Sequence, residues 1–337
     1  MRILGIETSC DETAAAVVED GVRILSSVVS TQHELHERFG GVVPEIACRA
    51  HIESILPVLE QALSDAAVPL RQIDAVAAAT SPGLIGALLV GLTAAKALCW
   101  SLRLPLLSVN HLHAHIYAAW LGGQAPALPA VSLVVSGGHT SLFLTRGPTS
   151  HEHLGGTVDD AAGEAFDKVA GILRLGYPGG PAIERAATGG RRAAVGFPRG
   201  RMEPAGADFS FSGLKTAVLY HCVGRNITRE AIEAASYDPQ FVADVAASFQ
   251  EAVVDVLTRK LYAVAERHNV ESIIVGGGVA ANTRLRERLQ LEADARGLGL
   301  HLAPKHLCTD NAAMVAGIAY HLLKEGKAAP LTVEAEP

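Results

Sequence analysis

Cysteine is scarce in this chain: Cys10, Cys48, Cys99, Cys222 and Cys308 are the only five in 337 residues. They are scattered, odd in number and never spaced as CxxC. That excludes a disulfide framework and a cysteine-built zinc site, and it suits a reducing compartment. An excess of positive charge is also missing. With 28 Lys and Arg against 35 Asp and Glu the net charge is −7, which argues against non-specific coating of nucleic acid but leaves room for a local basic patch. The first twelve residues lack the apolar core of a signal peptide, because Glu7, Asp11 and Glu12 interrupt it. The longest apolar run, Gly83 to Ala95, is too short for a membrane span and carries Gly and Thr. These absences together predict a soluble cytoplasmic protein with no membrane association.

What is present is apolar material, 49% of the chain, enough for a sizeable core in one bilobal unit or two domains. Arg2–Thr8, Ala14–Glu19 and Val22–Val29 read as three strands, with Asp20-Gly21 as a hairpin turn. A polar loop follows over 33–41, then a helix opening at Pro44, a buried strand over 73–79, a helix to about Leu102 and a strand over 106–109. The same order returns later: strands at 130–136, 140–145 and 151–154, a helix over 159–173, a long helix over 241–268, a strand at 272–275, a helix over 281–295 and a short strand at 301–302. A last helix, capped by Thr309-Asp310, runs to about Lys324. Two βββαβα sets predict an α/β protein with a mixed sheet in each lobe, the lobes spanning 1–125 and 126–328, an insertion at about 176–239 and a frayed tail at 329–337. Ligands are expected at the strand C-terminal ends, in the cleft between lobes.

The stretch with the most chemistry is Asn110-His111-Leu112-His113-Ala114-His115. Asn110 is a good helix N-cap. On a helix His111 and His115 share one face and His113 points away, so the pair can chelate one metal ion. Three polar or glycine turns follow predicted strands: Glu7–Thr13, Ser136-Gly137-Gly138-His139 and Gly276-Gly277-Gly278. Glycine lets backbone N–H groups approach an anion closely. Five arginines and no acid lie between Arg185 and Arg201, either a solvated loop or a patch for a polyanion such as RNA. Such turns in a duplicated α/β frame are the layout of the superfamily of actin, the sugar kinases and the heat-shock chaperone ATPases.

The segments GIETSCDETAAAVV (5–18), FGGVVPEIACRAH (39–51), NHLHAH (110–115), LVVSGGHTSL (133–142), GEAFDKVA (163–170), YPGGP (177–181), DFSFSGLKTA (208–217), VGGGVAANTRLR (275–286) and CTDNAAMVA (308–316) make the resemblance specific. In order and over nearly the whole chain they resemble the TsaD/Gcp/YgjD family, the tRNA N6-adenosine threonylcarbamoyltransferases. The resemblance implies an actin-like ATPase fold and a transferase. It would move the threonylcarbamoyl group from threonylcarbamoyl-AMP to N6 of adenosine 37, in tRNAs reading codons that begin with A, and release AMP. It implies a metal on His111, His115 and Asp310, iron as Fe(2+) with zinc as the alternative. It also implies substrate contacts at Val134, Val135, Ser136, Gly137, Gly138, Asp167, Gly180, Glu184 and Asn282. Its partners would be tRNA, an inactive paralogue (TsaB) and a small ATPase (TsaE), with the helix from Pro44 as a docking surface. The residues agree with the metal set: Asp310 occupies the place in the second repeat that Asn110 has in the first, so a two-fold between lobes is expected to carry it across to the His pair. Two imidazoles and a carboxylate suit Fe(II), Zn or Mn. Relatives often carry Gly at the places of Ala114 and Ala312, and Gly-Pro-Gly where this chain has Ser81-Pro82-Gly83. Asp11, in the first turn, is the candidate for taking the amine proton, on position alone.

Three rival functions can be weighed on the same residues. A zinc protease needs HExxH, and Leu112 stands where the Glu should be. An ATP-dependent kinase of this fold usually has an Asp-x-Gly-Thr first turn, whereas Glu7-Thr8-Ser9-Cys10 has no glycine, and kinase Mg²⁺ prefers oxygen ligands to histidine. A nucleotide-binding scaffold without catalysis is the third.

Overall fold

Strands that are mostly buried along their whole length, as expected where helices cover both faces, form two five-stranded sheets. The structure is a computed structural model describing residues 1–200, 206–225 and 236–337. The first sheet holds β1 (Arg2–Glu7), β2 (Glu12–Glu19), β3 (Arg23–Thr31), β4 (Ala75–Ser81) and β5 (Leu106–Asn110) in the order β3-β2-β1-β4-β5. Its hairpin partners are antiparallel, while β1–β4 and β4–β5 are parallel. Asp20 and Gly21 have φ of 52° and 78°, the left-handed pair that a type I′ turn requires. The second sheet holds β6 (Ala130–Val135), β7 (Thr140–Gly147), β8 (Ser150–Gly156), β9 (Ser272–Gly276) and β10 (Gly299–Leu302) in the order β10-β9-β6-β7-β8. β6 stands where β1 does: antiparallel to the next strand, parallel to the strand after the helices. The duplication expected from the order of elements is present in the strand topology.

Among the described residues the α-helices are α1 (His33–Glu37), α2 (Pro44–Asp65), α3 (Ile85–Leu102), α4 (His111–Tyr117), α5 (Ala162–Ile172), α6 (Gly179–Ala186), α7 (Ser212–Val223), α8 (Pro239–His268), α9 (Thr283–Arg296) and α10 (Ala312–Lys324). Because successive side chains of a strand point to opposite faces, β1 serves two helical layers. Leu4 and Ile6 face a cluster with Ile55, Val58, Leu59 and Ala62 of α2 and Leu92, Ala95 and Cys99 of α3. Gly5 faces α10, where a Cβ on Gly5 would lie 2.4 Å from the Ala312 carbonyl oxygen. Among the described residues α3 is the one helix long and apolar enough to cross a membrane, yet Ala87, Leu88, Gly91, Leu92, Ala95 and Cys99 are buried in this protein's own core. Burial on nearly all sides explains why α8 reads as apolar without a clean stripe.

The chain divides into two compact units, one of residues 1–125, 146–151 and 303–337, the other of 126–145 and 152–302. This corrects the sequence boundaries at the C-terminus. The last 35 residues, 303–337, belong with the first sheet, because α10 presents Ala312, Ala313, Ala316 and Ala319 as a small-residue face that the glycine and alanines of β1 and β2 can approach. The tail is not frayed either. Ala329 bonds Leu106 O along the edge of β5, Lys96 Nζ donates to Val333 O at 2.5 Å, Glu336 N donates to Thr80 O, and Val333 and Ala335 pack on the core cluster. An unpaired edge strand has backbone groups to satisfy, and the tail satisfies some of them. The polar loop at 33–41 contains the short α1.

In the insertion, Arg191 and Arg199 are held by acids of α8. Arg191 donates to Asp244 through Nε, Nη2 and its backbone N–H, and Arg199 Nε lies 3.2 Å from Asp255 Oδ2. Two of the five arginines therefore anchor the loop. Arg201 lies outside the described residues.

Candidate functional site

β5 ends at Asn110, whose side chain accepts a hydrogen bond from His113 N at 3.1 Å and so starts α4. The first helical turn then places His111 and His115 together, ring centroids 4.6 Å apart. The third member comes from the start of α10. Its N-cap is Asn311 rather than Thr309-Asp310: Asn311 Oδ1 accepts from Met314 N, and Nδ2 donates to the carbonyls of Leu307 and Thr309. With the loop pinned by Asn311, the Asp310 carboxyl reaches the histidines, its Oδ1 3.1 Å from His115 Nε2 and 3.5 Å from His111 Nε2. All three ligands belong to the first compact unit. Asp310 therefore arrives through the packing of α10 on the first sheet, and not across from the second repeat as the sequence predicts.

The three donor atoms lie within 4.8 Å of one another. Donors ~2.1 Å from a shared ion stand about 3.0–3.4 Å apart at octahedral or tetrahedral angles, which matches the spacings to Asp310 Oδ1. The outer shell fits too. Glu7, fully buried, accepts from His111 Nδ1 at 2.9 Å and from Ser9 N at 2.6 Å, leaving His111 Nε2 turned toward Asp310 as in carboxylate–histidine–metal sites. His115 Nδ1 is buried without a hydrogen-bond partner among the described residues. Burial alone would lower the His111 pKa, but Glu7 and then Asp310 outweigh it and raise it to about 9. His115 is lowered, by burial and by the His111 charge. A setting that retains a proton on one buried imidazole is one that also favours a cation among these ligands. His113 stands apart and packs on the His151 ring, centroids 4.5 Å apart. Ala114 and Ala312 are fully buried and leave the ligands in place.

The first turn is packed tightly. A Cβ on Gly83 would meet Ser9 O at 2.7 Å, and one on Gly91 would meet Thr8 Oγ1 at 2.4 Å. Asp11 and Glu12 are buried there, beside His33 of α1. Burial, then the charges of Asp310 and Asp11, push the Glu12 carboxyl well above the usual carboxylate range.

The remaining expected site residues lie in the second unit. Val134 and Val135 are fully buried strand residues. Beyond them the turn closes on itself: Ser136 N donates to His139 O, and His139 N donates to Ser136 Oγ. No hydrogen bond from the Gly137 or Gly138 N–H is present among the described residues, and a Cβ on either would meet open space. Gly163 of α5 abuts this turn, where a Cβ would stand 2.5 Å from Ser136 O, and Gly277, with φ of 95°, abuts Val135. Asp167 accepts from Gly179 N at 2.7 Å and so holds the start of α6. Gly180 has open space beside it. Glu184 accepts from Thr283 N at 3.0 Å, and Asn282 caps α9 through Leu285 N while donating to Gln250 at 2.8 Å. Glu184 and Asn282 are thus brought together, as are Gly137 and Gly163. Sequence reasoning missed Glu7 as the His111 partner and Gln250 as the anchor of Asn282. A Gln in the middle of an apolar helix was the only available signal for the latter.

Comparison with known proteins identifies the family. The profile of the tRNA N6-adenosine threonylcarbamoyltransferase family, TsaD, matches residues 23–317. The enzyme of that name from Syntrophobacter fumaroxidans is 54% identical over 324 residues, covering 96% of this chain and 95% of its own. That from Dehalococcoides mccartyi is 51% identical over 337 residues, covering 100% and 98%. A solved activator of 2-hydroxyisocaproyl-CoA dehydratase from Clostridium difficile shares the fold, with a TM-score of 0.54 at 12% identity, covering 97% of each chain. With full-length relatives at half identity and a family match over most of its length, the chain belongs to the TsaD family of tRNA N6-adenosine threonylcarbamoyltransferases.

Proposed function

We propose that this chain transfers the threonylcarbamoyl group from threonylcarbamoyl-AMP to N6 of adenosine 37 in tRNAs reading codons that begin with A, releasing AMP. The observation that carries this reading is the half-identity of the whole chain to transferases of that name. The N6 amine attacks the carbamoyl carbonyl, a C–N bond forms, the bond to the phosphate oxygen breaks, and the amine proton is lost to a base. The reading gives the Gly137 and Gly138 N–H groups to an anionic oxygen of the donor, where aligned backbone donors stabilise developing charge. Gly180, with no side chain, offers bare backbone to a ribose or base. Asp167 and Glu184, each already bonded to a backbone N–H, keep acceptor capacity for ribose hydroxyls. Asn282 is given a polar edge of the adenylate, set in place by Gln250.

His111 Nε2, His115 Nε2 and Asp310 Oδ1 would hold the ion, iron as Fe(2+) or alternatively zinc. When bound, a divalent ion there supplies Lewis acidity toward an oxygen of the donor. The resemblance further supports TsaB and TsaE as partners. Exposed Ile52 and Leu56 on α2 and Ile85 and Leu89 on the adjoining α3 support a protein docking face. A tRNA substrate implies the cytoplasm. The kinase, scaffold and protease alternatives find no support in the relatives.

Incubating the protein with pre-formed threonylcarbamoyl-adenylate and unmodified tRNA, then digesting the tRNA for nucleoside mass analysis, tests the reading. Threonylcarbamoyladenosine at position 37 with stoichiometric AMP is the expected result. His115→Ala should cut its formation at least tenfold. ATP turnover without modified nucleoside would instead favour the kinase reading.

A further inference from the structure

A second group of ligand-type side chains lies in the first unit, distinct in every residue from the histidine centre. Strand pairing assembles it. Glu12 opens β2 opposite Thr31, the last residue of β3, and Gln32 N donates to Asp11 O at 3.1 Å. His33, two residues beyond Thr31, is thereby laid against both acids. Its Nε2 is 3.2 Å from Glu12 Oε1 and 3.9 Å from Asp11 Oδ2, and the three donor atoms lie within 4.8 Å of one another. Ligands of one ion at ~2.1 Å can be no more than about 4.2 Å apart, so both distances to His33 suit a shared ion.

Two features distinguish this group from an ordinary acidic cluster. The Asp11 side chain is only 9% exposed, and its Oδ2 has no hydrogen-bond partner among the described residues. A buried carboxylate oxygen with no donor is costly unless a cation or a proton satisfies it. In addition, the ion pairs of Glu7, Asp11 and Glu12 among the described residues are all to histidines, none to Lys or Arg. Three buried acids thus share a setting with little permanent positive charge.

We propose that Asp11, Glu12 and His33 form a second divalent-cation site, one that takes a transition-metal ion such as Mn²⁺, Fe²⁺ or Zn²⁺. The imidazole selects this class, because Mg²⁺ and Ca²⁺ prefer oxygen donors alone. Three protein ligands leave coordination positions for water. Asp11 serves here as a ligand rather than as the base that its position in the first turn suggests.

Equilibrium dialysis of the full-length protein against Mn²⁺, with free ion read by electron paramagnetic resonance, tests the site without reference to catalysis. Wild type should bind two equivalents. His33→Ala and Glu12→Gln should each bind one, with unchanged far-ultraviolet circular dichroism. The double variant His111→Ala/His115→Ala should keep one. A wild type that takes a single equivalent, or either of the first two variants retaining two, overturns the proposal. Two equivalents in the His111/His115 double variant would instead overturn the histidine centre, so failures of the two sites are told apart.

Discussion

Gly5 shows how much of the metal centre depends on a residue that touches no ligand. A methyl at this position would sit 2.4 Å from Ala312 O and 2.8 Å from Ala316 N, both backbone atoms that cannot turn aside. α10 would have to lift from β1, and Asp310 is two residues before that helix. Gly5→Ala should therefore cost about 1–3 kcal/mol, the range for overpacked cores. Urea unfolding would measure it, and metal affinity should fall although every ligand remains. Asp244 gives a prediction of a different kind. Its hydrogen bonds from Arg191 hold the carboxyl down at about 2, below its unfolded value of about 3.9. A depressed folded pKa means that stabilisation is present above pH 4 and lost as pH falls through 4 toward 2. Thermal melts of wild type and Asp244→Asn should differ at pH 6 and converge near pH 2. A gap independent of pH would mean that the Arg191 contact is not what perturbs the group.

Among elements, the start of α10 is where local chemistry and function separate. Thr309, Asp310 and Asn311 are all residue types that cap helices, and the sequence offers no way to choose among them. The structure gives capping to Asn311 and ligation to Asp310. Asn311→Ala should destabilise by about 1 kcal/mol, as for other lost caps, and weaken metal binding. Thr309→Ala should do neither, and differential scanning calorimetry of the pair decides it. The tail makes a comparable case. Residues 329–337 read as a frayed tail, yet they bond the edge of β5 and contact the core. Deleting them should lower the melting temperature by several degrees and speed amide exchange at Leu106–Val109. An unaltered melt would show the tail to be dispensable.

For the whole molecule, stability and metal occupancy should be linked. An ion that binds only the folded chain adds about 2.7 kcal/mol at a hundred times its Kd. Chelation should accordingly lower the melting temperature of wild type by more than that of Asp310→Ala, which lacks one of the two centres. The element order announced the duplication, and the two sheets repeat the same strand order. Periodicity and turn residues made the strands legible, and the His pair was legible because its spacing is local to one helix turn. By itself, then, the sequence determined the α/β class, the repeat, the His111–His115 pair and, through its motif blocks, the family. Only the tertiary structure decided that residues 303–337 return to the first sheet and so carry Asp310 to the histidines. It alone decided that Glu7 orients His111 and that Asp11, Glu12 and His33 converge. The physical reason is range: capping and helical spacing act within four residues, while these contacts depend on which faces pack, and packing is settled by small residues such as Gly5 and Ala312 that carry no pattern of their own.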